Sequence, residues 1–148
     1  MKIYEKALED YNNKVKAYND DLKRKVKNFW FSLSGWEFET EFDKLLKQQG
    51  FVTYKTSGSA DGGVDIFATR GSTRYAVQCK AHKKPTGPSI VRDLYGSMNH
   101  NNIKNGILVN LGGFTKGVVE FSKDKSIILL DIDDVIKLHE GKKTLWKL

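Results

Sequence analysis

The chain is poor in residues that lock a structure by covalent or conformational constraint. Of its 148 residues one is cysteine, Cys79, and two are proline, Pro85 and Pro88. A single cysteine excludes an internal disulfide and any zinc site built on thiolates. The three histidines, His82, His100 and His139, are scattered without the spacing of metal ligands. No apolar run approaches the roughly 18 residues needed to cross a bilayer, and the first residues are polar rather than signal-like. The expectation is a cytoplasmic, reducing setting with no membrane partner. Negative charge is also in short supply. Lys and Arg total 25 against 18 acids, a net charge of +7, and that excess favours a polyanion as partner.

Neither glycine nor proline occurs before Gly35, so nothing breaks a helix over the first thirty-odd residues. Tyr4, Leu8, Tyr11, Val15, Tyr18 and Leu22 recur at alternating spacings of four and three, a heptad seam that slips by one residue to Val26 and Phe29. The pattern predicts a long amphipathic helix of about 45 Å. It either packs back on its own domain or pairs with a second copy, making residues 1–33 an oligomerisation element and 34–148 the main domain.

Ser34-Gly35-Trp36-Glu37 fits a capping box that starts a second helix, with Phe38, Phe42, Leu45 and Leu46 as its stripe and Gly50 as its stop. Strands are expected at Phe51 to Thr56, Val64 to Thr69 and Arg74 to Lys80, the last two joined by a short turn at Arg70 to Thr73. A helix after Pro88, a strand at Ile107 to Asn110, and a helix capped by Thr115 and running to Ser122 follow. A strand at Ile127 to Leu130 and a last helix after Asp131 or Asp133 complete the chain. This order predicts an α/β sandwich with a mixed sheet and helices on both faces.

Strand alternation puts Gln78 and Lys80 on one face, with Tyr75, Val77 and Cys79 on the other. Asp65, on the neighbouring antiparallel strand, can lie across from that pair. An acid, an amide and an amine converging on one face suit phosphodiester hydrolysis. A hard divalent cation takes oxygen ligands, here the Asp65 carboxylate, the Gln78 side chain and the Cys79 carbonyl. Lys80 is then placed to orient water or to stabilise charge developing on the phosphorane. The competing reading is a cross-strand salt bridge of a few tenths of a kcal/mol between Asp65 and Lys80.

Taken together, Gly35-Trp36-Glu37-Phe38-Glu39, Gly50-Phe51, Ala60-Asp61-Gly62-Gly63-Val64-Asp65-Ile66 and Val77-Gln78-Cys79-Lys80 resemble the Mrr-like type IV restriction endonucleases. These belong to the PD-(D/E)xK nuclease superfamily. The resemblance continues through Val91 to Gly96, Asn105-Gly106-Ile107, Gly113 to Lys116 and Leu130-Asp131-Ile132. It implies a restriction-endonuclease-like core that cuts double-stranded DNA with Mg²⁺ or Mn²⁺, in defence against foreign or modified DNA. It implies that Asp65 binds the metal, that Gln78 stands where most of the superfamily has an acid, and that Lys80 is the catalytic lysine. Glu39 would be the helix acid reaching the metal or its water, in competition with Glu37 and Glu41. Val64 replaces the superfamily's proline, and Asp61 either supports the site or shapes its turn.

His82, Lys83, Lys84, Arg92 and Lys116 are the basic residues expected to hold the DNA backbone, where contacts position rather than specify. The Gly112-Gly113-Phe114-Thr115 loop before a helix offers a weaker phosphate cradle. Cys79 reads as a small buried core residue. Two other functions fit the same scaffold: a module that binds DNA without cutting it, and a resolvase specific for branched junctions.

Overall fold

The computed structural model describes residues 2–56 and 63–145. Asp61 and the glycine-rich turn around it lie outside the described residues. The elements run α1 (Ile3–Ser32), α2 (Gly35–Gln48), β1 (Val52–Lys55), β2 (Ile66–Arg70), β3 (Thr73–Lys80), α3 (Pro88–His100), β4 (Asn105–Asn110), α4 (Lys116–Ser122), β5 (Ile127–Leu130) and α5 (Ile132–His139). This is the expected order.

Chemistry at the element ends explains several boundaries. Ser34 Oγ accepts the Glu37 N–H at 3.1 Å while Glu37 Oε1 accepts the Ser34 N–H at 2.8 Å, which starts α2. At its other end Gly50 adopts φ +91°, and the Phe51 and Gly50 amides return to the carbonyls of Leu46 and Lys47. That is a Schellman stop, closed by glycine because a Cβ is strained at that φ. Asp131 caps α5 through the Asp134 N–H. Thr115 precedes α4 as expected but makes no side-chain cap bond.

The five strands form one sheet in the order β1-β2-β3-β4-β5. The first three are antiparallel, and β3, β4 and β5 are parallel, joined through α3 and α4. The sheet is therefore mixed. One face packs Val77, Ile107, Val109 and Leu130 against Phe38, Phe42 and Leu46 of α2 and Val135 and Leu138 of α5. The other packs Ala76, Leu108 and Ile127 against Val91, Leu94 and Met98 of α3 and Val118 of α4. This second layer stops short of β1, leaving Val52 and Tyr54 exposed.

Several strand boundaries differ from the sequence reading. β1 loses one residue at each end of Phe51 to Thr56, β2 runs Ile66–Arg70 rather than Val64 to Thr69, and β3 and β4 begin at Thr73 and Asn105 rather than Arg74 and Ile107. Asp65 thus lies on the bend before β2, not within it. The last turn of α1 docks through Trp30, the buried residue of that helix, whose ring meets Phe38 and His139 edge-on at 6.1 and 6.0 Å. The rest of the seam, from Tyr4 to Phe29, is exposed.

Candidate active site

Asp65 owes its orientation to a broken ladder. Its N–H donates to Val77 O on β3 at 2.8 Å, while its C=O accepts the Thr56 N–H at 2.9 Å from the opposite side. A residue of regular strand sends both groups toward the same neighbour, so the backbone must bend at Asp65. Thr56 secures the bend further with its hydroxyl on Val64 O at 2.9 Å. The bend turns the carboxylate inward, where Oδ2 accepts the Cys79 N–H of β3 at 2.8 Å. That bond stands in for the ladder bond the bend removes. It also orients Cys79's carbonyl toward the same side, since both groups of a strand residue point together.

β3 then presents Gln78 and Lys80 on the α3 side of the sheet and Cys79 on the α2 side, as alternation requires. Gln78 is 5 % exposed, and its Oε1 has no hydrogen-bond partner among the described residues. That oxygen lies by Gly63, two residues from Asp65: a Cβ there would stand 3.8 Å from it and 3.5 Å from Asp93 Cβ. A buried amide oxygen without a donor is costly and needs a partner. Among the described residues Lys80 and Asp65 do not close to an ion pair, so the salt-bridge reading fails. Burial raises the Asp65 pKa; the Cys79 N–H bond, the Lys80 charge and Lys55 all lower it, and the net shift remains upward.

Glu39 arrives from α2, which packs over β1 and β3. Burial raises its pKa and the Asp65 charge raises it further; Lys55 opposes both, and Asp43 adds to them. Glu39 is thus the helix acid that feels Asp65. Glu37 is committed to the Ser34 cap and Glu41 to Lys44 at 3.1 Å. Both carboxylates are half-buried with raised pKa values, Asp65 through burial and Glu39 through burial and the Asp65 charge.

Two neighbours escaped the sequence reading. Lys55, from β1, lies 4.0 Å from Glu39 Oε1, donates to Thr40 Oγ1 at 2.9 Å and covers the Trp36 ring at 4.5 Å. Its signal was an inward position on the strand, opposite Ile66. Asp43, one turn beyond Glu39, is 6 % exposed; Lys47 meets Oδ2 at 3.2 Å, and Oδ1 has no partner among the described residues. Its signal was an acid beside Phe42 in the apolar stripe. Cys79 is half-buried rather than fully buried, and burial pushes its thiol well above the ordinary value, with the charges of Asp65, Glu39 and Asp43 adding. A neutral thiol is no nucleophile.

The expected DNA-binding residues are all exposed. His82, Lys83 and Lys84 follow β3, and their loop is pressed onto the loop after β4, where a Cβ on Gly112 would lie 2.4 Å from Lys83 C. The side chain of buried Asn110 ties the two loops, donating to Lys84 O at 2.9 Å and Gly113 O at 2.7 Å. Lys116 opens α4 beside α3, where a Cβ on Gly117 would meet Pro88 at 3.0 Å. Cationic residues thus collect at the carboxyl ends of β3 and β4, where Lys80 also stands. The phosphate cradle is not supported. The Gly113 and Thr115 amides already donate to Asn110 O and Thr86 O.

Residues 31–139 match the Mrr_cat family model, described as restriction endonuclease. The chain belongs to this restriction endonuclease family. As such it carries a restriction endonuclease-family domain. An uncharacterized mitochondrial protein of Schizosaccharomyces pombe is 37% identical over 89 residues, which are 55% of this chain and 36% of that protein. The chain therefore spans about a third of the relative's length. Among solved structures, the DNA modification-dependent restriction endonuclease AspBHI aligns with TM-score 0.62 at 17% identity, over 79% of this chain and 34% of that one. A protein of unknown function, AF1548, aligns with TM-score 0.60 at 18% identity, over 76% and 66%. Both likenesses concern the fold.

A divalent cation fits the residues present. Gln78 Oε1 lacks a partner among the described residues, and the Asp65 and Glu39 pKa values stay raised despite Lys55 and Lys80. No group of three His, Cys, Asp or Glu side chains is clustered among the described residues, so the donor set must be mixed, with amide and carbonyl oxygens beside the acids.

Proposed function

We propose that the chain is an endonuclease hydrolysing phosphodiester bonds of double-stranded DNA with Mg²⁺ or Mn²⁺, restricting foreign or modified DNA. The observation that carries this reading is the convergence of Glu39 and Lys80 on Asp65, whose charge raises the Glu39 pKa and whose own pKa Lys80 lowers; Gln78, on the same strand as Lys80, adds a buried amide oxygen with no partner among the described residues. Asp65, Gln78, the Cys79 carbonyl and Glu39 would hold the cation. When bound it supplies a Lewis acid for the phosphate and lowers the pKa of a water. The Cys79 amide keeps the Asp65 carboxylate aimed. Lys80, which makes no ion pair among the described residues, stabilises negative charge gathering on the phosphate oxygens. His82, Lys83, Lys84, Arg92 and Lys116 grip the backbone on either side. Modified DNA as target is supported by the fold shared with AspBHI, whose own cutting depends on DNA modification. Cytoplasmic action accords with the single thiol and with the absence, among the described residues, of any helix able to cross a membrane. Cutting both strands takes two such centres, and we assign the pairing of two copies to α1.

Incubation with methylated and unmethylated plasmid in Mg²⁺ or Mn²⁺ should nick or linearise it. Lys80→Ala should lose about 10²- to 10³-fold in rate. Wild type and variant cutting alike would sink the assignment. Salt-dependent binding without cleavage in any divalent metal would make the protein a binding module, and preference for four-way junctions a resolvase.

A further inference from the structure

The α1 seam is exposed from end to end: Tyr4, Tyr11 and Tyr18 are 76, 64 and 65% exposed, and Leu8, Val15 and Leu22 are 49, 40 and 42%. The family match begins at residue 31, so nearly all of α1 stands outside the nuclease domain. The order of the seam residues is informative. Aromatic and aliphatic side chains alternate strictly, Tyr-Leu-Tyr-Val-Tyr-Leu. Reversed about residue 13, the series is its own complement: Tyr4 faces Leu22, Leu8 faces Tyr18, and Tyr11 faces Val15. Each layer then holds one large and one smaller side chain, the condition for even interdigitation. A parallel, in-register pair would stack tyrosine on tyrosine in three layers and leave thin aliphatic layers between them.

Charge and shape agree with the reversal. Residues 2–10 carry Glu5, Glu9 and Asp10 against Lys2 and Lys6, a net −1. Residues 16–24, which lie opposite when the helices run antiparallel, carry Lys16, Lys23 and Arg24 against Asp20 and Asp21, a net +1. Parallel pairing sets like against like at both ends. The seam also runs into a groove of about 1010 Å³ between α1 and α5, with Leu22, Val26, Phe31 and Ile136 among its lining. In the reversed register a partner's Ile3 and Tyr4 reach that groove. Three tyrosines at roughly 150 Å² each, with three aliphatic side chains, bring the seam close to the about 800 Å² per partner of a stable interface.

We propose that two copies of this chain pair through α1 as an antiparallel coiled coil centred on residue 13. The dimer is a rod with a nuclease domain at either end. Trp30, where α1 docks, lies 17 residues from the centre, so the two docking points stand about 50 Å apart. The inference deepens the pairing given above and is independent of the cleavage chemistry.

Mixing Leu8→Cys and Tyr18→Cys proteins under mild oxidation decides the orientation, with wild type as the control for Cys79. The expected product is the mixed Leu8→Cys–Tyr18→Cys disulfide alone. Self-crosslinking of each variant means a parallel pair and overturns the proposal. Sedimentation of the full-length wild type should show a dimer, whereas monomer at tens of micromolar, or a higher oligomer, overturns it. Val15→Asp should weaken association at least about a hundredfold with the far-UV circular dichroism of the domain retained. An unchanged dimer in that variant also refutes the interface. None of these readouts uses cleavage, so their failure leaves the nuclease assignment standing, and inactivity of the nuclease leaves them intact.

Discussion

Asp65 shows how one residue serves folding and chemistry through the same bend. Its carboxylate replaces a ladder bond by holding the Cys79 amide, and its charge is then left near Glu39 with partial relief from Lys55 and Lys80. In the metal-free protein both carboxyls have folded-state pKa values above the unfolded 3.8 and 4.5. The folded chain therefore binds these protons more tightly than the unfolded chain. Their contribution is destabilising at neutral pH and is relieved as pH falls through the raised values. Asp65→Asn keeps an acceptor for Cys79 but removes the charge. In EDTA at pH 7 its Tm should exceed wild type by on the order of 3 °C, the gap closing as pH is lowered, while cleavage is lost. A gap that widens toward acid pH would contradict this. Gln78 is a second case of tension. Buried with an oxygen unpartnered among the described residues, it offers a ligand atom but contributes no charge. Gln78→Glu should lower metal-free stability by about 1–3 kcal/mol, with much of the loss restored by Mn²⁺, as thermal melts with and without the ion would read.

At the level of elements, the antiparallel meander β1–β3 and the parallel strands β3–β5 share β3, so one strand carries the polar pair and delivers its loop to the basic end. That loop is held by backbone packing against the Gly112 turn and by the buried Asn110 amide. Gly112 has no room for a Cβ, because the atoms it would strike are Lys83 and Lys84 backbone and cannot swing aside. Gly112→Ala should therefore cost about 1–3 kcal/mol and displace Lys83 and Lys84, weakening DNA binding. Denaturant melts and a binding titration would separate the two effects. The helix boundaries were readable because each is written in local chemistry: the Ser34–Glu37 box, the Gly50 stop and the Asp131 cap. The edges of β1 and β2 were not, because the bend at Asp65 is made by partners on either side of it, Thr56 and Val77.

For the whole molecule, a net charge of +7 is partly organised. Lys80, Lys83, Lys84 and Lys116 gather at one end of the parallel strands, whereas α1 carries charges of both signs. Binding to duplex DNA should weaken linearly with log salt. The Lys83→Ala/Lys84→Ala pair should flatten that slope by nearly 2, about 0.9 for each phosphate the protein no longer neutralises. A slope unaltered in that variant would place the DNA elsewhere.

By itself the sequence determined what depends on neighbours along the chain. Heptad and alternating patterns, caps and stops specified the helices and strands in their observed order, and the spacing of Asp65, Gln78 and Lys80 marked a polar face on two adjacent strands. Only the tertiary structure decided which helix acid feels Asp65, that Lys55 and Asp43 share its surroundings, and that Lys80 makes no ion pair among the described residues. These depend on how α2 lies across β1 and β3, a long-range packing with no periodic trace in the chain. Glu39, the helix acid that the resemblance implied, is the one whose pKa the Asp65 charge raises, a proximity that spacing alone could not supply.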